Sequence, residues 1–160
     1  MCQPGGENRV SYSFRSPSEA RDLARKLSQH APEPPRAEMG LFELMMNAIE
    51  HGNLEIGAHE KRNLLAEDRL VEEIQARLTD GPYKERLAKV DIIKNDGVLQ
   101  YCITDEGKGF DWARFMQGDT DASLNESEFG RGILLAKSIG FDGLAYSGIG
   151  NVVTASIKLK

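Results

Sequence analysis

The apolar positions fall into two periods. Val10, Tyr12 and Phe14 alternate with polar residues, which predicts a half-buried strand. Ser16-Pro17-Ser18-Glu19 then carries the signals of a helix start, and Ala20, Leu23, Ala24 and Leu27 mark the inner face of the helix that follows. Pro32, Pro34 and Pro35 break this helix before a second one over about 36–52. That second helix is greasy on almost every side, with Met39, Leu41, Phe42, Leu44, Met45, Met46, Ala48 and Ile49, so it is expected to be buried. Glu43, Asn47 and His51 interrupt it at i, i+4 and i+8, in line on one face. A carboxylate, an amide and an imidazole in such surroundings need partners, either within the protein or in a polar site.

The segment of about 53–89 is charged, with helical spacing at Leu70, Val71, Ile74 and Leu78 that ends at Gly81-Pro82. It is expected to be an appended helical element whose apolar stripe packs on the domain, with a docking face for a partner as the other use of that stripe. Residues 90–94 and 98–104 flank Asn95-Asp96-Gly97, a hairpin signal in which glycine supplies a positive φ. Residues of about 111–130 read as loop and 132–139 as a helix. Residues 144–147 and 152–158 read as strands joined through Gly148-Ile149-Gly150, with Val153, Ala155, Ile157 and Leu159 on one face. The order predicts an α+β fold, a two-layer sandwich of a mixed, mostly antiparallel sheet with helices on one face. Residues 1–8 read as a flexible leader and 9–160 as a single domain.

A chain of 160 residues, 40% hydrophobic and 28% charged, has enough apolar surface for one core. The net charge of −5 argues against nucleic acid as a main partner, but leaves room for a nucleotide, whose phosphates need only local donors. There is no signal peptide and no apolar run long enough to span a bilayer. The two cysteines, Cys2 and Cys102, form no disulfide framework or zinc spacing, and Cys102 reads as a small buried hydrophobe in a strand. A reducing cytoplasm is the expected setting.

Two glycine clusters add chemistry. Asp105-Glu106-Gly107-Lys108-Gly109 follows a strand, where glycines permit close backbone approach to a ligand and the Asp can accept a hydrogen bond from an exocyclic amine; a tight turn with a solvated Asp fits the same residues. Gly130-Arg131-Gly132 opens a helix, where backbone N–H groups and a guanidinium favour an anion; a hinge is the plainer use. Neither cluster is a Walker A loop or a G-x-G-x-x-G fingerprint.

In this order and spacing the three pieces resemble the GHKL ATPase superfamily, and within it the branch of anti-sigma-factor serine kinases. The resemblance runs from about residue 10 to residue 158. It implies ATP and Mg²⁺ as cofactors and phosphotransfer to a protein serine. Glu43-x-x-x-Asn47 matches the family's N box, which implies Glu43 as general base and Asn47 as the Mg²⁺ ligand, with His51 in support. It likewise implies that Asp105 bonds the adenine amino group, that Gly107 and Gly109 shape its pocket, and that Gly130, Arg131 and Gly132 belong to a short lid, about 113–129, and its phosphate loop. Where the family often has Gly-Thr before its last strand, this chain has Gly150-Asn151, with Thr154 further on, so either Asn151 or Thr154 is a candidate for the adenine contact. The implied partners are a STAS-type antagonist, a sigma factor to be held, and a second copy in a homodimer. Two other functions stay open: a nucleotide-responsive binding module without chemistry, and a histidine-kinase ATPase domain detached from its dimerisation helices.

Overall fold

In the computed structural model, residues 8–113 and 140–160 are described. The elements are β1 (Arg9–Phe14), α1 (Pro17–Ser28), α2 (Pro34–Asn47), a π-helical turn (Ala48–Asn53), α3 (Ala58–Ala66), α4 (Leu70–Thr79), β2 (Ala88–Asn95), β3 (Val98–Thr104), β4 (Gly143–Ser147) and β5 (Val152–Lys158). The strands form one sheet in the order β1-β2-β3-β5-β4. The α+β expectation holds at this level. Every strand pairing among the described residues is antiparallel, however, so the sheet is not the mixed one expected. The Gly130-Arg131-Gly132 cluster, most of the expected lid and the expected helix of 132–139 lie outside the described residues.

Local chemistry explains the elements that frame the site. Ser16 caps α1 by accepting from the Glu19 backbone N–H, and the Glu19 carboxylate returns the bond to the Ser16 N–H, a full capping box with Pro17 in the first turn. The β2–β3 hairpin turns on Asp96 (φ 46°) and Gly97 (φ 75°), the double positive φ of a type I′ turn. One face of the sheet carries Phe14, Val90, Tyr101, Ile103, Val153 and Ala155, all buried in a core shared with α1 and α2. The Tyr101 hydroxyl donates to the Leu27 carbonyl of α1 at 2.9 Å, and Lys26 of α1 lies over the Tyr12 ring at 4.5 Å. Gly40 of α2 meets the Phe141 ring so closely that a Cβ would collide with it.

Two expectations about the second helix are corrected here. The helix of about 36–52 is α-helical only to Asn47, and its last turn widens to a π-helix. It is not buried all round, since Met39 is 54% exposed while Leu41, Leu44, Met45 and Ile49 are in the core. Cys102 is buried in β3 as expected; Cys2 lies outside the described residues. The stripe on α4 packs on the domain as expected: Ile74 and Leu78 are buried in the core, with Val71 well exposed.

Candidate functional site

A cavity of about 290 Å³ opens where β3 ends, between the last turns of the second helix and the β4–β5 connection. Its size is at the low end for small-molecule sites, ~300–1,000 Å³. Leu44, Ala48, Ile56, Ile103, Phe110 and Val153 make its apolar walls. Asn47, His51, Glu55, Asp105, Lys108 and Asn151 supply the polar groups.

The π-helical turn sets the helix side of this cavity. Such widened turns occur most often as single insertions in α-helices at functional sites. Here the turn closes on Leu54, whose N–H donates to the Ile49 carbonyl at 2.9 Å. His51 reaches the Ile56 carbonyl through Nδ1 at 2.6 Å. A carbonyl can only accept, so Nδ1 bears the proton and Nε2 is the acceptor of the ring. Burial pulls the imidazole down to about 4, so it is neutral at physiological pH. Asn47 lines the cavity one turn before, and its Nδ2 is buried with no hydrogen-bond partner among the described residues. A buried donor of this kind is costly until a ligand or water accepts from it.

Asp105 follows β3 directly. Its Oδ1 accepts from the Gly107 N–H at 2.8 Å, and its backbone is held in both directions by Asn151: the Asp105 N–H donates to the Asn151 carbonyl at 3.0 Å, and Asn151 Nδ2 donates to the Asp105 carbonyl at 3.1 Å. Burial pushes the carboxyl up to about 6, against the pull of the Gly107 N–H and of Arg86. The aromatic wall beside it is an edge-to-face pair of Phe110 and Tyr146, with centroids 5.1 Å apart, and the Tyr146 hydroxyl is pushed up by burial and then by Asp105.

Glycines let these backbones meet. A Cβ on Gly52 would run into the Asp105 carboxyl group, and a Cβ on Gly107 into the Gly52 backbone. Gly109, at φ +74°, lies against the Ile149 carbonyl, which itself accepts from the Phe110 N–H at 2.9 Å. The Asp105–Phe110 loop is thus zipped to the β4–β5 connection.

The structure brings together Asn47, Asp105 and Gly109 in the cavity lining, with Gly107 just behind Asp105. It does not bring two others. Glu43 is half-buried on α2, one turn before Asn47, and does not line the cavity. Thr154 is buried on the other face of the sheet, where its hydroxyl lies 3.9 Å from Cys102 Sγ. Residues alternate faces along a strand, so with Val153 in the cavity wall Thr154 must point away. Asn151, the other candidate, is the one at the cavity.

Sequence reasoning missed Gly52, Glu55, Asn53 and Tyr146. Asn53 is 2% exposed and its Oδ1 accepts from the Glu106 N–H at 2.7 Å, which joins the π-helical turn to the Asp105 loop. A glycine inside a helical pattern, as at Gly52, was the available signal. Glu55 adopts φ 52° and accepts from Lys108 and Arg86, each at 2.8 Å; these cations hold its carboxyl below the usual range, Lys108 most strongly.

No family model matches the chain, and no curated protein matches it. Among the described residues no helix is long and apolar enough to cross a membrane. Among the same residues no group of three His, Cys, Asp or Glu side chains is placed to hold a metal by itself.

Proposed function

We propose that the cavity binds the adenosine part of ATP and that the chain is a GHKL-type serine protein kinase acting on a STAS-type antagonist. The observation that carries this reading is Asp105, a desolvated carboxylate with a single donor on Oδ1 among the described residues, set among Ile103, Val153 and Phe110. An apolar slot with one acceptor at its base suits a flat heterocycle that bears an exocyclic amine. Asn47, whose Nδ2 is buried with no partner among the described residues, fits the phosphate side of the same ligand. A half-turn about χ2 exchanges its NH₂ for its carbonyl, so it offers phosphate a donor or Mg²⁺ an acceptor. Mg²⁺ arriving with the nucleotide neutralises phosphate charge, which is what phosphoryl transfer chiefly requires.

In this reading Asp105 orients the base, Asn47 holds the metal–phosphate end, neutral His51 supports the turn that carries them, and Glu43 accepts the proton of the partner's serine hydroxyl. Glu43 lies outside the cavity lining, so the serine has to approach from that side of α2. The same observation favours a second reading, a nucleotide-responsive binding module without transfer. Sequestration of a sigma factor belongs to either reading. The α4 stripe no longer supports the second one, because Ile74 and Leu78 are core residues.

Calorimetry with ATP and ADP, with and without Mg²⁺, on wild type and Asn47→Ala tests the site. Mg²⁺-enhanced ATP binding that is lost in the variant supports it, and absence of binding to wild type removes it. Transfer of the γ-phosphate by wild type, abolished in Glu43→Ala while ATP binding persists, selects the kinase over the binding module.

A further inference from the structure

The segment between the π-helical turn and β2 is more than an appendage. Its cations converge on the outside of the turn that lines the cavity. From α3, Lys61 Nζ pairs with the buried Glu50 carboxylate at 2.5 Å. From α4, Arg77 Nη1 donates to the Leu54 carbonyl at 2.8 Å, while its other nitrogens bind Glu73 and Glu60. From the stretch before β2, Arg86 Nη1 donates to the Asn53 carbonyl at 3.0 Å and to Glu55 Oε1 at 2.8 Å, with its guanidinium over the Tyr83 ring at 4.9 Å. One residue further on, the Leu87 N–H donates to Glu106 Oε2 at 2.7 Å. Glu106 in turn donates its N–H to Asn53 Oδ1, and the next N–H, of Gly107, is the one that Asp105 accepts.

We propose that Arg86 is a positioning residue of the cavity: from outside it fixes the 53–55 turn and, through Asn53 and Glu106, the loop that presents Asp105, with Arg77 and Lys61 holding the same turn from α4 and α3. The proposal rests on the nucleotide reading only for the probe used to measure affinity. Arg86 serves two acceptors at once, a carbonyl and a carboxylate, through one terminal nitrogen, while its planar guanidinium lies over the Tyr83 ring and fixes where that nitrogen sits, a stacking that the point charge of a lysine reproduces poorly. Its charge also acts on Asp105 directly and opposes the effect of burial there. Among the described residues the other charged or titratable groups around Asp105 are His51 from the helix side, Glu55 beyond it, Glu106 and Lys108 on its own loop, and Tyr146 from β4.

The test compares wild type, Arg86→Gln, Arg86→Lys and the control Arg69→Gln, whose side chain makes only exposed ion pairs with Glu67 and Glu72. Two quantities are measured: the NMR titration of the Asp105 carboxyl carbon without ligand, and ADP affinity by calorimetry. Loss of the positive charge in Arg86→Gln should raise the Asp105 midpoint. Loss of the positioning bonds should weaken ADP about 10–100-fold at neutral pH. Arg86→Lys should keep the wild-type midpoint yet recover only part of the affinity, and Arg69→Gln should change neither. An unchanged midpoint together with unchanged affinity in Arg86→Gln overturns the proposal. If that variant does not fold, Arg86→Lys decides: weaker ADP binding at an unchanged midpoint supports positioning, and wild-type affinity overturns it. If wild type binds no ADP, the nucleotide reading fails on its own, and amide exchange of Glu106 and Gly107 in Arg86→Gln decides the role of Arg86: faster exchange than wild type supports positioning, and an unchanged rate overturns it.

Discussion

Replacing Asp105 by Asn should make the unliganded protein more stable at neutral pH while removing the acceptor on which ligand recognition is proposed to rest. The magnitude follows from two buried groups that share the cavity. Burial raises the Asp105 carboxyl from 3.8 to about 6, and burial lowers the His51 imidazole from 6.5 to about 4. An acid with a raised pKa binds more protons when folded, so stability falls as pH rises through that window. A base with a lowered pKa binds more protons when unfolded, so stability rises with pH between about 4 and 6.5. At ~1.36 kcal/mol per tenfold change in acid dissociation, each effect is about 3 kcal/mol at most. The two slopes are opposite and cover nearly the same interval, so wild type should show little net pH dependence from this cavity. In Asp105→Asn the Gly107 N–H keeps an acceptor and the His51 slope stands alone. Partial exposure of the carboxyl reduces the gain, which leaves roughly 1–2 kcal/mol in favour of the variant at pH 8. Urea unfolding followed by circular dichroism at pH 4, 5, 6.5 and 8 measures this, with His51→Asn expected to show the reverse slope. An Asp105→Asn variant no more stable than wild type at pH 8, or without a rise between pH 4 and 6.5, would refute the reasoning.

Other outcomes follow from single contacts. Gly109→Ala places a Cβ at φ +74° against the Ile149 carbonyl; it should lower stability by more than ~1 kcal/mol in thermal unfolding and weaken ADP binding together, and an unchanged melting temperature would count against the zipped loop. Asn47→Ala removes a buried Nδ2 that has no partner among the described residues, so the unliganded protein should lose nothing and gain up to ~1 kcal/mol, in contrast to an ordinary buried truncation. Tyr101→Phe removes the bond from the Tyr101 hydroxyl to the Leu27 carbonyl, which still accepts from the His30 N–H, and should cost about 1 kcal/mol in urea, with ADP affinity unaffected. Inosine nucleotides, which carry an oxygen where adenine has the amine, should bind at least ~10-fold more weakly than adenine nucleotides to wild type but not to Asp105→Asn.

Features written in local chemistry were legible in the chain. The capping box at Ser16, the Asp96-Gly97 turn and the shared face of Val153, Ala155 and Ile157 each depend on residues within a few positions of one another. The candidate site was legible where one residue decided the chemistry, as with Asp105 after its strand and Asn47 on its helix. What stayed hidden depends on register or on distant partners. A π-helical turn has no apolar period of its own, so Ala48–Asn53 reads as more α-helix. The choice between Asn151 and Thr154 turns on which face of β5 meets the cavity, which only pairing with β3 fixes. The need for glycine at position 52 comes from Asp105, far along the chain, and the cations that grip the turn come from residues that look like an ordinary solvated surface.

The tight Asp96-Gly97 turn sits beside a very long detour. β2 meets β3 across two residues, but it meets β1 only after the whole stretch from Phe14 to Ala88 has been gathered in. Closing a loop of that length costs about 4 kcal/mol of chain entropy in ideal-chain scaling, against far less for the hairpin. The helices that line and grip the cavity all belong to that detour. The β2–β3 ribbon can therefore nucleate early, whereas β1 and the cavity walls mature in the same late step. Amide exchange should show this order in reverse, with β1 and the Ala48–Asn53 turn opening together and more readily than the central hairpin.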